Sequence, residues 1–314
     1  MADDNVKKGW KSDVLTFLAI VLWMGGFHLN FLVAGLCIWN FGKPWALTLL
    51  AFWIALIFTP VGYNNGGVGD SVARFICKYA PAYFPIKVVF EDKSAFKLKQ
   101  SYVIAGEPHS FLPIGIIILT PQCGVLPVSD LRALATSAVF WTPYVRQVWT
   151  SLGVAPVSRK YFTELLQRGT SAIIIPGGVQ ECLYMERGRE VVYLKKRYGF
   201  VKVAMETGAH IVPTFCFGQS NTYGWWKPKG HWYHQLSRAI GFTPLLFWGR
   251  FGTPIPFRSP MTYVIGKPIE VTKNPQATHE EVAAVLEKFI EAVEVLFEKH
   301  KAAAGFEDIS LHVY

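Results

Sequence analysis

The sequence is poor in charge. Only 17% of its 314 residues are Asp, Glu, Lys or Arg, against about 25% in an ordinary soluble domain. Acidic residues are the scarcer sign: 22 Asp and Glu face 31 Lys and Arg, for a net charge of +9. That balance calls for an anionic partner. Nucleic acid is the first class to test on charge alone. The chain is 51% hydrophobic and carries no nucleic-acid-binding motif, so no nucleic acid is expected. Anionic lipid headgroups or the phosphates of a coenzyme fit better. Paired cysteines are missing too. Cys37, Cys77, Cys123, Cys182 and Cys216 contain no C-x-x-C and are odd in number, which favours a reduced, cytosol-facing domain over a disulfide framework. No internal repeat, low-complexity segment or credible signal peptide is present. The first apolar run is too long for a signal, is soon followed by another, and lacks a clear small-residue cleavage site.

Apolar length is what the chain has in quantity, with 15% aromatic residues and a mean hydropathy of +0.26. Residues 1–13 read as a solvated tail, with Lys7, Lys8 and Lys11 against Asp3, Asp4 and Asp13. From Val14 to Trp39 the polar side chains are Thr16, His28 and Asn30, and Gly25-Gly26 interrupts the run. A break at Asn40 to Pro44 is followed by apolar Trp45 to Phe58. A spanning helix needs about 20 apolar residues; the first run meets this and the second is marginal. The expectation is a cytosolic tail (1–13), a membrane-embedded helical hairpin (14–60) and a cytosol-facing catalytic domain (61–314). The competing reading is a pair of buried core helices. Lysines before the first run, with Arg74 and Lys78 after the second, put both ends on the cytosolic side, although Lys43 in the turn weakens the contrast. Gly67-Val68-Gly69 follows no strand and lacks a third glycine, so it reads as linker rather than a dinucleotide fingerprint.

Beyond residue 70 short apolar runs alternate with amphipathic ones. Ile86–Phe90, Tyr102–Ala105, Ala172–Ile175, Ile211–Phe215 and Tyr263–Ile265 read as strands; 129–141, 158–168 and 194–207 read as helices. Such alternation argues an α/β domain, a mixed sheet flanked by helices. A last helix opens with a capping box, Thr278 and Glu281. It places Val282, Leu286, Phe289, Val293 and Leu296 on one face.

Two strands run into loops that carry chemistry. Tyr102–Ala105 leads into Gly106-Glu107-Pro108-His109-Ser110, and strand ends are where α/β sheets gather ligands. Pro108 stiffens the backbone before His109, and an imidazole can take a proton from an alcohol near neutral pH. A loop histidine taken alone is more often structural. Ile173–Ile175 leads into Pro176-Gly177-Gly178-Val179-Gln180-Glu181. Adjacent glycines let backbone N–H groups approach a phosphate or an oxyanion, although most Gly-Gly pairs are ordinary turns. Arg187, Arg189, Lys195, Lys196 and Arg197 form the densest basic stretch, read either as a phosphate site or as a charged solvated face. Rival sites are weaker. Gly218-Gln219-Ser220 lacks the second glycine of a nucleophile elbow, and Cys182 has no evident base. His231 and His234 stand i, i+3 but have no carboxylate or cysteine nearby to complete a metal site.

Glu107-Pro108-His109-Ser110 with Phe111 to Gly115 resembles the signature of type 2 diacylglycerol acyltransferases, in the form of plant and algal members; animal members carry His-Pro-His-Gly. Pro176 to Glu181, Lys195 to Val201, Val212 to Gln219, Arg250 to Phe257 and Val264 to Ile269 resemble the family's later blocks. The resemblance runs from residue 14 to residue 300. It implies a glycerolipid-acyltransferase-like fold and transfer of an acyl group from acyl-CoA to diacylglycerol, forming triacylglycerol. Acyl-CoA is then a cosubstrate, and neither cofactor nor metal is required. Membrane lipid is a further partner, homo-oligomerisation stays open, and the place is the endoplasmic reticulum membrane, with lipid droplets as a second site. His109 becomes the base, Glu181 the preferred orienting carboxylate and Glu107 the second candidate. Ser110, Gly177 and Gly178 become oxyanion donors, and Lys195, Lys196 and Arg197 contacts for coenzyme A. The wider superfamily's N-H-x-x-x-x-D pattern is broken, since Ile114 stands where the aspartate would be. Monoacylglycerol or fatty-alcohol acylation (wax ester formation) and a catalytically silent lipid-droplet or membrane scaffold are the alternatives.

Overall fold

A computed structural model describes residues 2–63, 66–240 and 243–314, with side chains described outside 2–12 and 238–240. Helices α1 (Ala2–Trp39), α2 (Pro44–Phe58) and α3 (Val68–Tyr83) come first. Strands β1 (Ile86–Phe90), β2 (Tyr102–Glu107) and β3 (Leu131–Ala135), helix α4 (Val145–Ser151), β4 (Val154–Pro156), α5 (Arg159–Gln167) and β5 (Ser171–Ile174) follow. Then come α6 (Val179–Tyr184), β6 (Arg189–Val192), α7 (Tyr198–Thr207), β7 (His210–Phe217), β8 (Gly224–Trp226), α8 (His231–Ile240) and β9 (Leu246–Trp248). The chain closes with β10 (Met261–Ile265), α9 (His279–Lys301) and β11 (Ser310–Val313).

The main sheet has the order β1-β10-β7-β2-β5-β3-β4. All its pairings are parallel except β10 with β7, so the α/β mixed sheet expected from the alternating pattern is present. Successive side chains alternate across it. Ile104 and Ile173 face one layer with α1 and α3, while Val103, Ala105 and Ala172 face the other with α7 and α9. Strand β2 is buried along its whole length, as a central parallel strand covered on both faces must be. Helix α9 keeps its capping box, with Thr278 Oγ1 accepting from Glu281 N at 3.2 Å and Glu281 Oε2 accepting from Thr278 N at 2.8 Å. Its five expected apolar residues are all buried, each worth about 1.5–3 kcal/mol.

Two helical expectations need correction. Segment 129–141 is not a helix: Leu131–Ala135 is a strand between β5 and β4, and Ser137–Trp141 is a short 3-10 turn. Its Leu-Arg-Ala-Leu-Ala run has good helix propensity, but pairing on both sides overrides it. The helix expected at 194–207 starts only at Tyr198. The amides of Leu194 and Lys195 both donate to Tyr314 O at 2.8 Å, which keeps them out of the helix.

Helices α1 and α2 fold back on each other. Cys37 Sγ donates to Ala46 O at 3.5 Å, and Trp53 Nε1 donates to Asn30 Oδ1 at 2.9 Å. Within α1, Asp13–Trp39 is long and apolar enough to cross a membrane. The 15 residues of α2 rise only about 22 Å, short of a bilayer core of about 30 Å. Nor is α1 apolar surface alone: Ala19, Ile20, Trp23 and Met24 share a core with Ala73, Ile76, Val148 and Leu152.

Candidate active site

The register of β2 on β5 pairs Val103 with Ala172, Ile104 with Ile173 and Ala105 with Ile174. The two loops singled out in the sequence therefore leave the sheet side by side. The peptide between Glu107 and Pro108 is cis. His109 is half-buried, while Glu107 and Glu181 are buried.

Glu181 lies in the first turn of α6 and is a backbone holder. Its Oε1 accepts from the amides of His109, in a short bond, and Ser110, at 3.3 Å; its Oε2 accepts from Tyr193 N at 3.3 Å. It thus grips the chain on which His109 stands rather than the imidazole. The ring is oriented by a different atom: His109 Nδ1 stands 2.9 Å from Ser110 O. A carbonyl can only accept, so Nδ1 carries the proton and Nε2 keeps its lone pair. Burial lowers the pKa of His109, against the pull of the Ser110 carbonyl. The neutral, base-competent ring is favoured at pH 7.

Glu107 is a buried carboxyl whose oxygens have no hydrogen-bond partner of ordinary geometry, and it lies against Glu181. Burial, then the charge of Glu181, hold its pKa well above the usual carboxylate range. Two facing carboxylates in a dry site cannot both ionise at neutral pH. The three amides on Glu181 assign the negative charge to it and the proton to Glu107. Gly177 completes this corner, because a Cβ there would strike the Glu181 carboxylate.

The basic residues separate. Arg197 reaches back to the loop, with Nη2 donating to Gly177 O at 2.6 Å and its guanidinium 4.9 Å from the Tyr193 ring centroid. Lys195 and Lys196 are exposed and make no side-chain contact with this loop among the described residues. The proposed oxyanion donors separate too. Ser110 N is engaged by Glu181 and the Gly177 amide approaches Glu107, whereas Gly178, at φ +57°, directs its amide to no partner among the described residues.

Several groups escaped the sequence reading. Gln219 is buried and forked: Nε2 donates to Pro108 O in a short bond, and Oε1 accepts from Gly115 N at 2.7 Å. It therefore clamps the chain on both sides of His109. Lys227 Nζ donates to Cys182 O at 3.1 Å and to Leu183 O, holding the end of α6; burial pushes its pKa down to about 8. Cys182 donates to Ser110 O at 3.2 Å, and burial pushes its pKa up to about 12, so it is a packed thiol and no nucleophile. Ser220 donates to the buried Glu190 at 2.7 Å. Gln219 lay within a recognisable block, but a glutamine gives no signal in sequence of what its two ends will bind.

A family model, "Diacylglycerol acyltransferase", matches residues 38–313. A mouse "Diacylglycerol O-acyltransferase 2-like protein 6" is 38% identical over 84% of this chain and 87% of its own. A human "2-acylglycerol O-acyltransferase 3" is 31% identical over 93% and 89%, and a Dictyostelium discoideum "Diacylglycerol O-acyltransferase 2" 29% identical over 82% and 83%. A solved 1-acyl-sn-glycerophosphate (LPA) acyltransferase from Thermotoga maritima aligns at a TM-score of 0.45 and 14% identity, over 92% of this chain and 97% of that one.

Proposed function

The chain belongs to the diacylglycerol acyltransferase family, and from that premise we propose that it transfers the acyl group of acyl-CoA to the free hydroxyl of diacylglycerol, with His109 as the base. The observation that carries the mechanism is the 2.9 Å hydrogen bond from His109 Nδ1 to Ser110 O. It leaves Nε2 as the acceptor for the alcohol proton. The deprotonated oxygen attacks the thioester carbonyl, and the tetrahedral intermediate expels coenzyme A thiolate, which takes the proton back from Nε2. A positioned base of this kind contributes about 10²–10⁴-fold. The free amide of Gly178 is the donor offered to the oxyanion. Glu181 and Gln219 hold the loop from below and from the side, and Arg197 adds positive charge beside it.

Helices α1 and α2 seat the enzyme in the endoplasmic reticulum membrane or on lipid droplets, with both termini cytosolic. The exposed Phe17, Leu18, Phe31, Ile38, Trp39 and Phe58 supply the lipid-facing surface. Monoacylglycerol is the second acceptor, favoured by the similarity to a 2-acylglycerol acyltransferase along nearly the whole chain. The full chain incubated with labelled acyl-CoA and a panel of diacylglycerol, monoacylglycerol and fatty alcohol is expected to yield labelled triacylglycerol. Label appearing only in diacylglycerol or wax ester would reassign the acceptor, and no labelled ester at all would overturn the activity.

A further inference from the structure

A cavity between the end of α2, α4 and strands β3 and β4 shares no lining residue with the His109 loop. Its volume is 330 Å³, and Tyr63, Arg132, Arg146, Thr150 and Tyr161 line it. Arg132 stands out. Its guanidinium carbon sits 3.3 Å from the centroid of the Tyr63 ring. Its Nη1 is sealed from solvent with no hydrogen-bond partner, as is the hydroxyl of Thr150. Among the described residues no carboxylate comes within ion-pair distance of Arg132 or Arg146. Asp130 and Asp70 are the acids whose charge reaches Tyr63. Asp130 accepts from Leu131 N at 2.8 Å and from the Thr170 hydroxyl at 3.0 Å; Asp70 accepts from Gly66 N. A half-buried guanidinium with an orphaned N–H is costly unless an anion pairs with it.

The cavity also has a defined place. Arg146 Nη1 donates to Thr59 O at 2.5 Å, and Gln147 Nε2 donates to Leu56 O at 2.6 Å and to Thr59 Oγ1 at 3.0 Å. These side chains cap the end of α2, immediately after the exposed Phe58. The cavity therefore lies beside the C-terminal end of the apolar helix α2.

We propose that Arg132, Arg146 and Thr150 form a binding site for a phosphate group, distinct from the acyl-transfer site. Two guanidinium groups and a hydroxyl match the several acceptor oxygens of a phosphate, and arginine's fork suits it better than a point charge would. The group comes either from an anionic phospholipid headgroup or from a soluble phosphate.

The test uses the full chain and compares its melting temperature in phosphatidylcholine nanodiscs with and without phosphatidate, and in detergent with and without inorganic phosphate at constant ionic strength. A ligand of the folded state raises the transition in proportion to its occupancy. The wild type is expected to show a saturable rise, and Arg132→Gln to lose it while melting as the wild type does in phosphatidylcholine alone. A rise with phosphatidate only identifies a lipid headgroup; a rise with inorganic phosphate as well identifies a site open to soluble phosphate. Should Arg132→Gln fail to fold, Thr150→Val carries the same comparison, with the rise reduced. No rise with either ligand, or an equal rise in wild type and variants, overturns the proposal.

Discussion

The carboxyl pair under His109 divides one proton unequally. Burial raises the pKa of Glu181 to about 7, against the pull of Glu107 and three backbone amides, while Glu107, buried against the charge of Glu181 and without a hydrogen bond of ordinary geometry, is pushed well above the usual range and keeps the proton. The sign of the resulting pH dependence follows from linkage. Glu107's folded pKa lies above the ordinary value of 4.5, so the folded state holds a proton that the unfolded state has released. Its contribution to stability is complete below pH 4.5 and is lost as pH rises toward the folded pKa. Glu107→Gln keeps the neutral form at every pH. The variant is therefore expected to melt at least as high as the wild type at pH 8 and to lose less stability between pH 5 and pH 9. A wild type whose stability is flat over that range would contradict the assignment. The sequence made Glu107, His109 and Glu181 legible as candidates because they end two apolar strands. It could not show that Glu181 grips backbone and Ser110 O grips the ring, since both bonds depend on how two loops 70 residues apart are brought together by the β2–β5 register.

At the scale of elements, the carboxylate that holds the His109 loop is tied to the far end of the chain. Strand β11 pairs in parallel with β6, from Ser310 opposite Arg189 to Val313 opposite Val192. Tyr314 N donates to Val192 O at 2.9 Å, and Tyr314 O receives the amides of Leu194 and Lys195. Tyr193 stands between these bonds, and its amide is the third donor to Glu181. The Tyr184 ring stacks on Tyr193 and packs at a tilt against Tyr314, with centroids at 5.2 Å and 4.5 Å. Deleting residues 310–314 is expected to lower kcat by about 10–100-fold, the cost of a small misplacement at the site, while the KM for acyl-CoA changes little. An unchanged kcat would show that β6 holds Glu181 without its partner strand. Strands Ile86–Phe90 and Tyr263–Ile265 were readable because their apolar runs are short and bounded by turns. Strand β11 was not, because Ser310-Leu311-His312-Val313 is short, half-polar and an edge, and its partner β6 is also short.

For the whole molecule, the apolar N-terminal region is long enough in α1 to cross a membrane and also forms part of the core. The length of α1 was plain in the sequence; its two faces were not, because a helix apolar all round carries no periodic signal to separate them. The structure separates them by packing. Ala19, Ile20, Trp23 and Met24 turn inward beside α3 and α4, and Phe17, Leu18, Val21 and Leu32 remain outside. Asn30 reinforces the join, with Nδ2 donating to Pro143 O at 2.9 Å. Helix α1 and the sheet that carries the His109 loop thus pack into one core.

His109 is the proposed base on which acyl transfer turns. The direct measurement is the rate of acyl transfer to diacylglycerol by the purified full chain and by His109→Ala, with melting temperatures recorded on the same samples. The expected result is a kcat lower by about 10²–10⁴-fold at an unchanged melting temperature, since the grip of Glu181 on this loop is through backbone amides that alanine retains. A well-folded His109→Ala protein that keeps substantial activity would contradict it.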